Sequence, residues 1–299
     1  MFGPPALPSQ PPPPKEADTS RPMSFFGAAL WVTLATLAFM WLAALLVSIR
    51  EATMTDHVVL VVAQGCAYLL VLFGILRVHA PEQSIREVVG LRATHPGFYP
   101  LSFVLGAASA VPATWLLMRI EQRFPSDAAR AHEFSELFYE ASMGRRVAMA
   151  VAIVVVGPIV EELLFRGAIF GPLARRQRAG AVVAMTAVYF AFVHPEPRSM
   201  PPIFLVGLLL GFMRAASGSL VPAILLHAGF NFVPFIELFG APEPARNGED
   251  EAIPAAVLFA GTAVTAVALA ASVLLANKSS VAQAARQREE RDPRGDDER

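Results

Sequence analysis

Residues 147–170 read VAMAVAIVVVGPIVEELLFRGAIF, and this stretch decides the fold. It is long enough to cross a bilayer as a helix, because a span needs about 20 mainly apolar residues. It nevertheless carries two carboxylates and a guanidinium, those of Glu161, Glu162 and Arg166. Ionisable groups inside a membrane span are costly and usually mark function. The stretch therefore predicts a membrane helix with a chemical role.

The composition of the whole chain agrees with a membrane protein. Of the 299 residues, 55% are hydrophobic and 16% are charged, whereas soluble domains have about 45–50% apolar and about 25% charged residues. The net charge of −1 and the absence of a basic face argue against a nucleic-acid partner. The one cysteine, Cys66, excludes an internal disulfide framework and a Cys-rich metal site. Disordered proteins and ordinary soluble enzymes are excluded as well.

Apolar runs along the chain predict an all-α, polytopic membrane bundle of about eight transmembrane helices, filling residues 25–276. The sixth run is the shortest and is the one expected to fall short of a full span. The predicted spans are 25–49, 58–76, 101–118, 147–170, 179–194, 202–213, 220–239 and 253–276.

The two ends of the chain read as disordered tails. Residues 1–24 are rich in proline, and residues 277–299 are polar and charged. With eight spans, fifteen lysines and arginines lie on the side of both tails and eight lie on the other side. The positive-inside rule then predicts both tails in the cytoplasm. The 22 arginines against 2 lysines suggest a GC-rich bacterial genome, and hence the bacterial inner membrane.

The ionisable groups of the fourth span divide into two kinds. Glu162 and Arg166 have the i, i+4 spacing of an intrahelical ion pair, and a structural pair is the favoured interpretation. The adjacent Glu161 points about 100° away on the helix, so it is free to face a cavity. Taken alone, Glu161 would equally suit a proton or ion path in a transporter.

Two later spans carry further polar side chains at i, i+4 spacing. The fifth places Phe190 before His194, and the seventh places His227 before Asn231. Singly, Phe190 suggests packing, His194 an interfacial histidine and Asn231 a contact between helices. Together with a carboxylate they suit hydrolysis: the carboxylate takes a proton from water, and imidazole and amide groups stabilise an oxyanion. The same groups could instead hold a catalytic zinc ion.

The rise per residue of a helix gives the depth of each polar group in the membrane, and groups that share a site must lie at similar depths. At about 1.5 Å per residue, Glu161 lies roughly 14 Å from the cytoplasmic end of its predicted span, and His194 lies roughly 22 Å from the corresponding end of its own. The groups therefore meet only if the fifth helix starts late, tilts or breaks.

The three sequence patterns, taken in order, resemble a known family. Residues 161–166 match EExxxR, residues 190–194 match FxxxH, and residues 227–231 match HxxxN. In their order along the fourth, fifth and seventh apolar spans, these patterns are similar to those of the CPBP family, which includes the Rce1-type CAAX prenyl endopeptidases and the bacterial Abi proteins. The resemblance covers about residues 145–240.

The resemblance implies an intramembrane endopeptidase with a water-filled cavity in an eight-helix bundle. It implies a catalytic set of Glu161, Glu162, His194, His227 and Asn231. Glu161 would activate water with the help of His194, while His227 and Asn231 would donate to the oxyanion. Arg166 and Phe190 are expected to position these groups.

A metal mechanism stays open beside the glutamate mechanism. Its ligands would be Glu161, His194 and His227, with a divalent metal such as zinc as the cofactor. The chain lacks the HExxH spacing that places two ligands and a base on one helix, and an asparagine amide is a poor zinc ligand. The glutamate mechanism is therefore favoured.

The sequence indicates a class of substrate but does not identify one. A membrane-anchored or lipid-anchored protein or peptide is the expected partner beside the lipid bilayer, and a literal CAAX substrate is doubtful in a bacterium. The alternatives are a catalytically silent scaffold or bacteriocin immunity protein, and a proton- or ion-coupled transporter. The segment 119–146 is amphipathic and suits either an interfacial helix or a plain connector.

Overall fold

The computed structural model describes residues 21–50, 56–125, 137–240 and 252–291. Within these ranges every regular element is a helix, which confirms the all-α prediction. The helices used below are α1 (Phe25–Arg50), α2 (His57–His79), α3 (Ile85–Val89), α4 (Phe98–Arg123), α5 (Met143–Ala174), α6 (Ala179–Phe192), α7 (Met200–Ser217), α8 (Leu220–Gly240) and α9 (Ala255–Arg291).

The prediction of about eight membrane spans is confirmed. Six helices in the described ranges, α1, α2, α4, α5, α7 and α9, are long and apolar enough to cross a membrane, while α6 and α8 contain shorter apolar stretches. The short helix is not the one expected: α7 has 18 residues, whereas α6 has 14. At about 1.5 Å per residue α6 is roughly 21 Å long, which is less than the hydrocarbon thickness of about 30 Å.

Helix α5 lies at the centre of the bundle. It packs against α2 and α8, and its second half also contacts α3, α6 and α7. Helix α4 packs along α8 and α9, and α1 packs along α2. The outer faces of α1 and α9 remain apolar: Trp41 is 67% exposed and Phe259 is 78% exposed. Such faces suit contact with lipid rather than water.

Helices α4 and α8 approach each other backbone to backbone at two glycines. A Cβ on Gly106 would lie 2.7 Å from the carbonyl carbon of Leu226, and a Cβ on Gly229 would lie 3.2 Å from the amide nitrogen of Ala107. Small residues let membrane helices approach closely, and dispersion contacts then hold them together without a hydrophobic driving force. The two glycines thereby set the position of α8, which carries His227 and Asn231.

Helix α5 is irregular where it carries the polar groups. Its turns at Ala152–Val156 and Leu163–Ile169 are π-helical, and they flank the α-helical segment Gly157–Glu162. Pro158 has no N–H to donate to the preceding turn, so the regular hydrogen-bond pattern cannot continue through it. Single π turns inside helices occur frequently at functional sites.

The extension of α5 beyond its predicted end removes the difference in depth between Glu161 and His194 that the sequence predicted. Helix α5 extends to Ala174, so Glu161 lies roughly 20 Å from that end, and His194 lies roughly 22 Å from the start of α6 at Ala179. Helix α6 stops at Phe192, two residues short of the predicted boundary, and His194 follows in a turn. The fifth span is therefore short rather than displaced or broken.

Two predicted boundaries need correction. Residues 21–24 were assigned to a disordered tail, yet Met23 is buried and its N–H donates to the carbonyl of Pro172. Helix α9 continues to Arg291, so residues 277–291 are helical, in keeping with their many strong helix formers. The remaining tail predictions, for residues 1–20 and 292–299, lie outside the described residues.

The segment between α4 and α5 is described only at its two ends. Residues 137–140 form a helical turn whose Phe138 is buried against Phe235 and Phe239 of α8. The described end of this connection therefore packs on the bundle. Of the segment 119–146, for which an interfacial helix or a plain connector is predicted, residues 126–136 lie outside the described ranges.

Candidate active site

Each of the three motifs contributes polar side chains to one cavity of about 550 Å³ within the bundle. Its walls are the first halves of α2 and α7, the middle of α5, the end of α6 and the second half of α8. Apolar groups supply most of the lining, as in a typical small-molecule or catalytic pocket. The polar or ionisable side chains in the wall are those of His57, Gln64, Glu161, His194, His227 and Asn231.

The two adjacent glutamates have different surroundings. The Glu161 side chain is 13% exposed and lines the cavity, whereas the Glu162 side chain is fully buried and is not part of the wall. Glu162 Oε1 accepts a hydrogen bond from Arg166 Nη1 at 3.0 Å. The structure thus contains the predicted i, i+4 pair, and it leaves Glu161 as the accessible carboxylate. Glu162, which the sequence placed in the catalytic set, reaches no space that a substrate could occupy.

Arg166 links α5 to α6 and α7 through three kinds of contact. Besides the bond to Glu162, its Nη2 donates to the carbonyl oxygen of Gly207 at 2.9 Å. Its guanidinium carbon lies 4.6 Å from the centre of the Phe190 ring, within the range of a cation–π interaction. A fully buried arginine with these partners is a structural centre that is expensive to lose.

His227 stands between the two glutamates. Its Nδ1 lies 3.1 Å from Glu162 Oε1, and because a carboxylate oxygen accepts, Nδ1 carries the proton. Its Nε2 faces Glu161 Oε2 at 3.7 Å, beyond direct hydrogen-bond distance. The ring thereby connects the buried pair to the accessible glutamate.

His194 and His227 share an aromatic neighbour. The Phe190 ring is buried, with its centre 4.9 Å from that of His194 and 5.5 Å from that of His227, both edge to face. His194 Nδ1 donates to the Phe190 carbonyl at 2.7 Å, so its Nε2 is the nitrogen left for a ligand or water. Phe190 thus packs against both imidazoles.

Asn231 is oriented by the π-helical turn of α5. Its Nδ2 donates to the carbonyl of Ile153 at 2.9 Å. A carbonyl oxygen can only accept, so this contact sets which side of the amide carries the hydrogens. The second hydrogen of the same NH2 group stays available as a donor in the cavity wall.

Gln64 is the partner of Glu161 that sequence reasoning missed. Its Nε2 donates to Glu161 Oε1 at 2.9 Å, from the first half of α2. The signal was present, since a glutamine inside an apolar span is itself an unusual polar group. His57, at the start of α2, also lines the cavity.

The predicted metal ligands Glu161, His194 and His227 do not form a metal site in this arrangement. Among the residues that the structure describes, no three histidine, cysteine, aspartate or glutamate side chains are placed to hold one ion. Glu161 and His227 face each other, but the ring of His194 does not complete a shared coordination point with them. The proposed metal ligands Glu161, His194 and His227 thus line a common cavity without converging.

The central part of the chain matches a known family model. Residues 144–233 match the Rce1-like family model. The model is described as type II CAAX prenyl endopeptidase Rce1-like, and the matched segment contains all three motifs. The resemblance predicted from those motifs is therefore confirmed.

A curated relative points the same way. The chain is 30% identical over 100 residues to the "Putative membrane peptidase YdiL" of Bacillus subtilis (strain 168). The aligned part covers 33% of this chain and 39% of that protein, so the similarity reaches well under two thirds of the relative's length. No solved structure matches the chain.

Proposed function

We propose that this protein is an intramembrane endopeptidase that hydrolyses peptide bonds in membrane-associated proteins or peptides, with Glu161 as the base that activates water. The single observation that carries the proposal is the cavity inside the bundle, in which Glu161, His194, His227 and Asn231 share one wall. A carboxylate, two imidazoles and an amide that line a mainly apolar pocket are the groups that acyl hydrolysis needs.

The water would bind between the Glu161 carboxylate and the substrate carbonyl. As the water oxygen bonds to the carbonyl carbon, Glu161 takes the proton and the carbonyl becomes a tetrahedral oxyanion. The oxyanion collapses, the C–N bond breaks, and the proton passes to the departing amine. Gln64 holds Glu161 Oε1, so the second oxygen is left to face the water. His194 would assist in proton transfer through its Nε2, because its Nδ1 donates to the Phe190 carbonyl.

The oxyanion would be stabilised by Asn231 and His227. The free N–H of the Asn231 amide is oriented by the Ile153 carbonyl. The His227 ring is oriented by the bond from its Nδ1 to Glu162, and it would donate to the oxyanion from Nε2 with a proton on both nitrogens. Such preorganised donors act strongly in a space that excludes bulk water. Glu162 and Arg166 act through these neighbours, as positioning residues rather than as groups that touch substrate.

A metal is not required by this scheme, and no step passes through one. If a divalent cation were bound, Glu161, His194 and His227 would have to move together to hold it. A zinc ion would then polarise the carbonyl and lower the pKa of its bound water.

The substrate class follows from the position of the cavity. The wall is built from the half of the bundle that contains the start of α2, the start of α7 and the end of α6. A scissile bond must therefore enter from that half, near the membrane surface. With both tails in the cytoplasm, as the charge bias predicts, that half faces away from the cytoplasm, in the inner membrane of a bacterium. We accordingly propose anchored proteins or peptides with an accessible bond beside the outer surface as substrates.

The proposal is tested by comparing the termini of membrane proteins in cells that carry the wild-type chain, Glu161→Gln or Glu140→Gln. Glu140 is an exposed carboxylate outside the cavity, so its variant is the matched control. We expect new termini with the wild type and Glu140→Gln only, and their sequence reports the side of cleavage. Identical termini in all three strains, at equal expression, would instead support a silent scaffold or a transporter.

A further inference from the structure

A second pocket lies at the opposite end of the bundle from the catalytic cavity. It has a volume of about 330 Å³ and is enclosed by α3, the end of α5, the start of α6 and the end of α7. Its apolar wall includes Val88, Phe170 and Pro172. The charged side chains that line it are those of Glu87, Arg92, Arg175 and Arg214.

Arg214 is the central group of this pocket. It is 6% exposed and lies at the end of an apolar helix. Its Nε donates to the carbonyl of Arg166 at 2.9 Å, and its guanidinium stacks 5.3 Å from the centre of the Phe170 ring. No carboxylate forms an ion pair with Arg214 among the described residues. A buried guanidinium without a counter-ion is costly, and the terminal nitrogens have no protein carboxylate to bind.

The other charges increase the positive potential at this place. Arg92 donates through Nε to the Gly218 carbonyl, and Arg175 donates to Gln83 at 2.8 Å. Glu87, the one acid in the wall, is engaged by the N–H and hydroxyl of Ser84 in the capping box of α3. The hydrogen bonds from Ser84 also hold the pKa of Glu87 below its usual value, so it stays an anion. Among the described residues that line the pocket, three are arginines and one is an acid.

Two glycines shape the space around the arginines. Gly90 and Gly218 have φ values of +74° and +66°, a left-handed conformation that side chains other than glycine rarely adopt. A Cβ on Gly90 would lie 2.7 Å from Cζ of Arg214, and one on Gly218 would lie 3.7 Å from an Nη of Arg92. The glycine at position 90 therefore makes room for the buried guanidinium beside the loop.

We propose that this pocket binds a phosphate-bearing anion. Guanidinium groups match phosphate oxygens in a bidentate manner, and basic pockets between membrane helices suit phospholipid head groups. The mixture of arginines with Phe170, Pro172 and Val88 suits a phosphate carried by an amphiphile, at a place where three apolar helices end. An anionic phospholipid head group and free inorganic phosphate share the same chemistry, and the experiment separates them.

The test measures the thermal unfolding midpoint of the full chain in an uncharged detergent. One arm titrates dihexanoyl phosphatidylglycerol against dihexanoyl phosphatidylcholine, and the other titrates inorganic phosphate against chloride at equal ionic strength. A ligand that binds the folded state raises the midpoint in a saturable way. The chains compared are the wild type, Arg214→Gln, and Arg119→Gln, which removes an exposed arginine outside the pocket.

We expect the wild type and Arg119→Gln to respond to phosphatidylglycerol more than to phosphatidylcholine, and Arg214→Gln to bind it about tenfold more weakly or worse. A rise of the unfolding midpoint with inorganic phosphate but not with phosphatidylglycerol, lost in Arg214→Gln, supports the same site with a free anion as its ligand. Because Arg214→Gln removes a buried residue, Ala215→Glu is measured as well. It places a carboxylate at an exposed position in the pocket wall and should also abolish the response. Equal responses in all the chains, or none in the wild type, would overturn the proposal.

Discussion

Replacing Arg166 by methionine tests the role of the buried ion pair in holding the bundle together. The change removes the bonds from Nη1 to Glu162 and from Nη2 to Gly207, together with the contact on Phe190. It leaves the Glu162 carboxylate fully buried without its partner. Breaking a buried pair from one side typically costs about 3–5 kcal/mol, which is roughly a hundred- to several-thousandfold in the folding equilibrium.

The double variant Glu162→Met, Arg166→Met separates the charge from the packing. Replacing both members of a buried pair by apolar groups of similar volume is often nearly neutral. Here one group loses its partner, the His227 Nδ1–H, while the Gly207 carbonyl keeps its backbone bond within α7. An unsatisfied buried group costs about 1–3 kcal/mol, so a deficit of that order should persist. The double variant should therefore be more stable than Arg166→Met by roughly 1–3 kcal/mol.

The assay is reversible unfolding in mixed micelles with increasing SDS, followed by the fluorescence of the three tryptophans. Wild type, both single variants and the double variant form a complete mutant cycle. A double variant that is less stable than Arg166→Met, with costs that simply add, would show that charge pairing does not hold α5 in place. The reasoning about the positioning of His227 would then lose its support.

Three further perturbations address the catalytic base, the helix contact and the metal. Gln64→Leu removes a charge-assisted hydrogen bond from Glu161, so cleavage should slow about 10- to 100-fold with unchanged thermal stability. The control Gln122→Leu, on the surface of α4, should cleave at the wild-type rate, and equal rates for both variants would show that Gln64 does not act in the site. Gly229→Ala should lower the unfolding free energy by about 1–3 kcal/mol, because its Cβ would meet the α4 backbone, while Gly144→Ala, which meets nothing within 4 Å, should leave it unchanged or raise it. Finally, 1,10-phenanthroline should inhibit cleavage no more than the non-chelating 1,7-isomer, and selective inhibition reversed by zinc would favour the metal mechanism.

Much of the fold could be predicted because the membrane imposes a simple rule. Backbone groups in lipid must be satisfied within the segment, so long apolar runs are helices. The error at the fifth span had a physical cause. Hydropathy gives the length of an apolar run, which need not equal the length of the helix. The end of α6 depends instead on the turn that starts at Val193 and on the packing of Phe190. The extension of α9 to Arg291 was missed because hydropathy finds the end of the apolar run, not the end of the helix.

The candidate site was predictable where residues lie on one helix and less so where helices meet. The Glu162–Arg166 pair follows from i, i+4 spacing alone. The bond from Gln64 to Glu161 joins residues 97 positions apart, and no local pattern contains it. The contact between His227 and Glu162 likewise depends on how α8 packs beside α5, and the close approach of Gly229 to α4 fixes the position of α8. Their roles in catalysis stay predictions.

The most direct test of the central claim is the rate at which the purified, reconstituted chain cleaves a peptide substrate that the comparison of termini identifies. A general base contributes about 10²- to 10⁴-fold to such a reaction. Glu161→Gln should therefore lower kcat by that factor while KM and thermal stability stay close to those of the wild type, and Glu140→Gln should cleave at the wild-type rate. A Glu161→Gln protein that cleaves as fast as the wild type would contradict the assignment of Glu161 as the base.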